Sequence, residues 1–272
     1  MADKSPSSDQ AGTERGADTV SALERGFRVL DCFAAARRPL SNSEVAAMTG
    51  IPRPTMTRLI ATLQELGHLR LAGMPDRWEI GSGVVRLAEA FLGGLDIRAS
   101  ARPHMIELAE TVGSTCFLGI RDADDMLVVE TARSRAVIAV IAADVGTRMS
   151  ITRSALGRAW LSGADDATRN AVLRNCNCDA KTKQSLTSAL VDARRNGYAL
   201  SLGDWHPAIN AAAVAIRTPK GEVISINSGG PSFVISAGKL VEEVVPALLT
   251  AADAIAREIG GKSGREIVQA GV

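Results

Sequence analysis

The sequence is poor in the features that mark several large functional classes. It has only four cysteines and three histidines in 272 residues. Cys32, Cys116, Cys176 and Cys178 offer no disulfide framework, which points to a reduced, cytoplasmic protein. His68, His104 and His206 are scattered singly, so Cys176-Asn177-Cys178 lacks further ligands at zinc spacing. That pair reads as two small side chains near a helix end, and neither a metal nor a cofactor is expected. No apolar run approaches the ~18 residues of a membrane span. Residues 1–20 are polar and carry acids throughout, so they read as a disordered tail and not as a secretory leader. Charge of one sign is also missing: 31 Lys plus Arg against 30 Asp plus Glu leaves +1. Bulk composition therefore says nothing about nucleic acid, and any such signal must lie in local placement. Catalytic signatures are absent as well. There is no G-x-S-x-G elbow, P-loop or G-x-G-x-x-G element, and Asp204 with His206 makes an unsupported triad. An enzyme is not expected, and a hydrolase is only a minor alternative.

What is present is ordinary globular material, 46% hydrophobic and 22% charged, in a chain long enough for two domains. From Ser21 a helix is predicted with Leu23, Phe27, Leu30 and Phe33 on its apolar face, stopped by Arg37-Arg38-Pro39. Ser41 and Glu44 have capping-box spacing for a second short helix with Val45 and Met48 inward, closed at Gly50. Pro52 or Pro54 opens a third helix running to about Leu66, with Met56, Leu59, Ile60, Leu63 and Leu66 apolar. Two short strands, residues 68–72 and 77–80, flank a turn at Gly73-Met74-Pro75-Asp76. Three helices and a hairpin in that order make a winged helix-turn-helix. A short helix over residues 84–91 reads as a linker.

Further on the pattern mixes helix and strand. Helices are predicted at 95–112, 154–162, 166–175, 183–196 and 237–259. Strands are predicted at 115–121, 126–132, 137–142, 198–202, 211–217 and 223–228. The fold class is α+β: a winged helix-turn-helix over 21–82, a linker helix over 83–96, an α/β domain over 97–260 and a C-terminal tail over 261–272.

The DNA reading rests on placement. Residues 21–80 hold eight arginines against six acids, a weak excess. Arg53, Thr55, Thr57 and Arg58, however, fall in the first two turns of the third helix. There arginine can bind guanine bidentately and threonine can touch a thymine methyl or a phosphate. The candidate DNA-contacting set is Arg25, Ser43, Arg53, Thr55, Thr57, Arg58 and Arg77, the last on the wing. A solvated helix face, or a protein-interaction module whose helix-turn-helix has lost DNA binding, is the competing reading.

Several stretches together resemble the IclR family of transcription regulators: LERGFRVLDCF, LSNSEVAAMTGIPRPTMTRLIATLQELG, LDIRASARPHMIELAETVGSTCFLGI, GTRMSITRSALGRAWLSG, NGYALSLGDWHPAINAAAVAI and INSGGP. The resemblance covers roughly residues 21–259. It implies a GAF-like effector domain, and a homodimer or homotetramer on a palindromic double-stranded operator. It also implies control by a small-molecule effector, here an organic acid or aromatic catabolite, with repression expected ahead of activation. Carried over by motif, the effector site would use Met149, Ala155, Leu156, Ser201, Asp204, Ala211, Asn227 and Gly229. The sequence departs from the family at Thr152-Arg153, Arg158, Asp204 and Ala215, which bears on the effector's identity. Arg153 could pair with a carboxylate ligand or lie as a surface arginine.

Overall fold

The computed structural model describes residues 20–136, 143–176 and 178–269. The chain divides into two compact units, residues 1–91 and 92–272.

In the first unit, α1 (Ser21–Ala36) ends where Arg37 turns into the left-handed region. Next come β1 (Leu40–Ser41), α2 (Asn42–Thr49) and α3 (Arg53–Glu65). The wing follows as β2 (Leu69–Leu71) and β3 (Arg77–Ile80), and α4 (Gly83–Gly93) comes after it. The wing gains a strand that the sequence did not announce: β1 pairs with β3, giving the order β1-β3-β2. The reciprocal Ser41–Glu44 capping box starts α2, and Gly50 at φ 70 ends it. Pro52 caps α3 and Pro54 lies in its first turn, where a missing N–H costs nothing.

The core of this unit is Val29, Phe33, Leu40, Val45, Met56, Ile60, Leu63 and Leu69. That corrects the expected face of α1, where Leu23 and Phe27 are 61% and 56% exposed. Its inward stripe is Val29, Cys32 and Phe33. Only the C-terminal half of α1 reaches the small core, so periodicity alone placed the stripe one half-helix too early. Met48 and Leu66 are also exposed, because each lies at the end of its helix beyond the packed turns.

The second unit opens with α5 (Ile97–Val112), β4 (Thr115–Asp122), β5 (Asp125–Arg133) and β6 (Arg148–Ser150). Three helices follow, α6 (Ala155–Gly163), α7 (Asp166–Asn175) and α8 (Ala180–Asn196). Then come β7 (Ala199–Leu202), β8 (Ile209–Arg217) and β9 (Val223–Pro231). With β10 (Lys262–Ser263), the strands form one antiparallel sheet in the order β10-β8-β9-β4-β5-β6, and β7 also lies beside β8.

One face of the sheet packs on α5 and on α10 (Val245–Glu258), joining Leu118, Val214 and Ile226 to Met105, Leu108, Leu248 and Ile255. On the other face α6 lies across β8 and β9, with Ala155 and Ala159 against Ala211 and Ala213. Alanines there let the helix approach closely. The start of α6 is also pressed against the turn before it, since a Cβ on Gly157 would overlap the Ile151 carbonyl.

The final predicted helix is not continuous. Between α9 (Ala237–Lys239) and α10 lies a π-helical turn, Leu240–Val244. Pro246 sits at the start of α10 and has no N–H to give the preceding turn, which the wider turn accommodates. The expected C-terminal tail is also corrected. Lys262–Ser263 is a strand (β10) pairing with β8, and Gly264–Gln269 is a helix (α11) that buries Ile267. The strand expected over residues 137–142 lies outside the described residues.

Gly157→Ala should cost about 3 kcal/mol or more in denaturant unfolding. A cost below ~1 kcal/mol would mean that α6 is not held against Ile151 as described.

Candidate DNA interface and ligand-binding face

On α3 the buried stripe Met56, Ile60 and Leu63 fixes the rotation of the helix. Arg53, Pro54, Thr57 and Arg58 are thereby turned outward, with Thr55 half-buried. No side chain caps the start of α3, so its first amides are open to solvent or to a phosphate. Thr57 Oγ1 donates to the Arg53 carbonyl at 3.1 Å, and Asn42 Nδ2 donates to Thr57 Oγ1 at 3.4 Å, tying α2 to the exposed face of α3. Arg25 and Ser43 are exposed on α1 and α2.

Arg77 is placed differently from the others. Its Nη1 lies 2.9 Å from Glu44 Oε2 and also donates to the Pro39 carbonyl at 3.3 Å. It thus braces the wing against α2. Glu44 is the hub of this brace: its carboxylate accepts from the Ser41 amide and hydroxyl, each at 2.8 Å, and from Arg38 at 2.8 Å. The Ser41 amide first, then the Arg38 hydrogen bond, hold its carboxyl down at about 2. Arg28, which the sequence did not single out, donates from Nη2 to the Thr49 carbonyl at the end of α2 (2.9 Å).

In the second unit the strand register gathers the predicted ligand residues. Paired residues in antiparallel strands share a face. Ser201, Ala211, Gly229, Thr115 and Arg133 therefore form one row across β7, β8, β9, β4 and β5. Ala199, Ala213, Asn227, Phe117 and Thr131 form the next row on the same face. This is the face that α6 partly covers. Ala155 packs with Ala211, while Met149 and Leu156 join an adjoining cluster against which half-buried Phe117 and Trp205 rest. Ala211 and Gly229 leave the floor low beside these rings. Asn227 is fixed in orientation because its Oδ1 accepts the Phe117 amide at 2.9 Å.

Ser201 and Asp204 are engaged within the protein. Ser201 Oγ donates to the Arg153 carbonyl at 2.9 Å and accepts from the Trp205 amide at 3.4 Å. The Asp204 carboxylate accepts from Arg158 Nη1 at 2.9 Å and from the Leu202 amide at 3.2 Å. Arg158 is only 4% exposed and also donates to the carbonyls of Thr152 and Leu200. Arg153 Nε donates to the Asp204 carbonyl at 2.9 Å. The departures from the family pattern at Arg158 and Asp204 are thus two halves of one ion pair. The sequence reading missed Thr115, Phe117, Thr131 and Trp205 on this face. The inside-outside alternation of β4 and β5 was the signal that would have found the first three.

Among the described residues no three His, Cys, Asp or Glu side chains converge as a metal site. The Cys176 and Cys178 sulfurs lie 2.7 Å apart at the end of α7, and partial burial, with Cys178 beside it, pushes the Cys176 thiol up to about 11. No described helix is long and apolar enough to cross a membrane.

Two family profiles match the chain. "IclR helix-turn-helix domain" covers residues 22–72, and "Bacterial transcriptional regulator IclR C-terminal" covers residues 89–257. Among curated relatives, the HTH-type transcriptional regulator TsaQ1/TsaQ2 of Comamonas testosteroni is 27% identical, over 86% of this chain and 87% of its own length. The transcriptional repressor IclR of Escherichia coli (strain K12) is 24% identical, over 82% and 84%. Among solved structures, an IclR family transcriptional regulator from Brucella abortus superposes with a TM-score of 0.78 at 30% identity, covering 94% of this chain and all (100%) of that one. An IclR homolog from Microbacterium hydrocarbonoxydans, solved in complex with 4-hydroxybenzoate, gives a TM-score of 0.73 at 24% identity, covering 88% and 99%.

Two outcomes are expected from the first unit. Arg58→Ala should weaken binding to a specific DNA site by about 1–3 kcal/mol, and an unchanged affinity would remove Arg58 from the reading surface. Glu44 has a lowered carboxyl, so its contribution to stability is complete above the unfolded value near 4.5 and is lost as pH falls toward about 2. Glu44→Gln should therefore flatten the acid limb of the stability–pH curve over that window. A variant curve parallel to wild type would show that the hub is not ionically held.

Proposed function

The chain belongs to the IclR family of bacterial transcription regulators, and from that premise we propose that it is a ligand-controlled repressor reading a palindromic operator through α3. That it is a DNA-binding transcription regulator and not an enzyme follows from the family. The proposal adds the sign of regulation, the site residues and the ligand class.

In this reading Arg53, Thr55, Thr57 and Arg58 face the major groove. Arg25 and Ser43 approach the phosphates, and Arg77 steadies the wing while remaining close enough to the backbone to add charge. Two-fold palindromes call for paired reading heads, so a homodimer or homotetramer is the working assembly. Residues 83–96 act as the linker between a DNA-binding domain over 21–82 and an effector domain over 97–260. The cytoplasm is the compartment where such a protein works. Repression is supported by relatives whose names state it, among them the Escherichia coli repressor.

The observation that carries the ligand class is the inner sheet face. The half-buried rings of Phe117 and Trp205 stand beside the low floor of Ala211 and Gly229, with Asn227, Thr115 and Thr131 as isolated polar groups. A mostly apolar surface with a few fixed polar groups suits a small organic acid or an aromatic catabolite. The relative in complex with 4-hydroxybenzoate binds a compound of that class. Met149, Ala155 and Leu156 supply the apolar backing. Ser201 and Asp204 shape the site by holding the Arg153 and Leu202 backbone.

The test starts with selection of genomic fragments that bind the purified protein, followed by titration at two salt concentrations with and without a panel of aromatic and aliphatic carboxylates. Salt-sensitive preference for one fragment, relieved by one member of the panel, is expected. Phe117→Ala should raise the concentration needed for that relief about tenfold and leave ligand-free DNA affinity unchanged. No fragment preference at either salt would sink the reading heads, and relief unaffected by Phe117→Ala would remove the ligand from this face.

A further inference from the structure

Glu130 is a carboxylate in the wrong place for a surface charge. Its side chain is 5% exposed on β5, on the face covered by α5. Arg98 Nη2 meets its Oε2 at 2.9 Å and Arg102 Nη1 meets its Oε1 at 2.5 Å, both from α5. The Thr131 amide also donates to Oε1, at 3.2 Å. Burying an ion pair seldom adds stability over an apolar equivalent, so stability alone does not account for a carboxylate held here by two arginines.

The second hand of Arg98 suggests a positional role. Its Nη1 donates at 3.2 Å to the carbonyl of Leu92, in the last turn of α4 and at the first residue of the second unit. The same carbonyl accepts the Leu95 amide at 3.3 Å. A cation on a C-terminal carbonyl complements the helix dipole and caps an orphan acceptor. Arg98 Nε is buried without a partner, so the arginine is held in place by Glu130 and Leu92. The next residue along β5, Thr131, points to the opposite face, in the row of Asn227 and Phe117.

We propose that Glu130 is a positioning residue that ties the ligand-bearing strand β5, through Arg98, to the last turn of α4. A ligand on the inner face that shifts β5 at Thr131 moves Glu130 with it. The Arg98 cap on Leu92 then tightens or loosens, at the root of the helix that follows the DNA-binding domain. Arg102 holds the same carboxylate but, among the described residues, makes no hydrogen bond to α4, so it serves as a built-in control. The relay rests on the proposed ligand face, whereas the tie to α4 does not.

Amide hydrogen exchange on the full chain reads the tie directly. Arg98→Ala and Glu130→Gln should each speed exchange in the last turn of α4 about tenfold. Their combination should add nothing further, since both break one chain of bonds. Arg102→Ala should leave α4 unchanged. Equal loosening of α4 by Arg102→Ala, or loosening of β5 and α5 alone in Glu130→Gln, overturns the tie. If Glu130→Gln does not fold, the contrast between Arg98→Ala and Arg102→Ala decides. The relay is read with a carboxylate that relieves operator binding in the wild type. In Arg98→Ala the ligand should still bind within about threefold, while its effect on operator affinity falls about tenfold. An undiminished effect overturns the relay. Absence of any responding carboxylate in the wild type overturns the ligand reading and the relay with it, and the exchange result still judges the tie.

Discussion

The second unit depends on a sheet buried on both faces. β8, β9 and β4 carry almost no exposed residue, so each step along a strand commits a side chain to one helical layer or the other. Even numbers on β8, such as Ala212, Val214 and Ile216, go to the α5–α10 side. Odd numbers, such as Ala211 and Ala213, go to the α6 side. A one-residue slip in register would exchange a Val-Ile core for a floor of alanine. The low alanine face exists because this alternation places small residues together on one side.

That floor explains why the sheet needs α6 so close and yet leaves part of itself uncovered. α6 is nine residues long and starts pressed against the turn at Ile151. It covers the Ala213 end of β8, while Phe117 and Thr115 on β4 remain half-buried. The Arg158–Asp204 pair then fixes the loop after β7 beside the rim. In the first unit the economy is different. Its core is small, and hydrogen bonds around Glu44 hold the capping box, the wing and the start of α2 in one cluster.

Much of this was legible in the sequence where a residue type forces a local conformation. The Ser41–Glu44 box, Gly50 and the Pro52-Arg53-Pro54 start set α2 and α3 to within a residue or two. The residues carried over from the family resemblance on β7, β8 and β9 fall in adjacent rows on one face of the sheet. The resemblance did not show that Ser201 and Asp204 would spend their polar groups on Arg153 and Arg158, because those partners are 46 to 51 residues away in the chain.

The sequence by itself determined the order of elements, the two-domain plan, the exposed side of α3 and the family. Each of these follows from local chemistry or from motif order. Tertiary structure decided which half of α1 is buried and that Arg77 braces the wing through Glu44. It also decided that the last residues add a strand and a helix, and that Glu130 lies between two arginines of α5. These depend on which surfaces meet, and a contact between residues distant in sequence leaves no periodic or local trace to read.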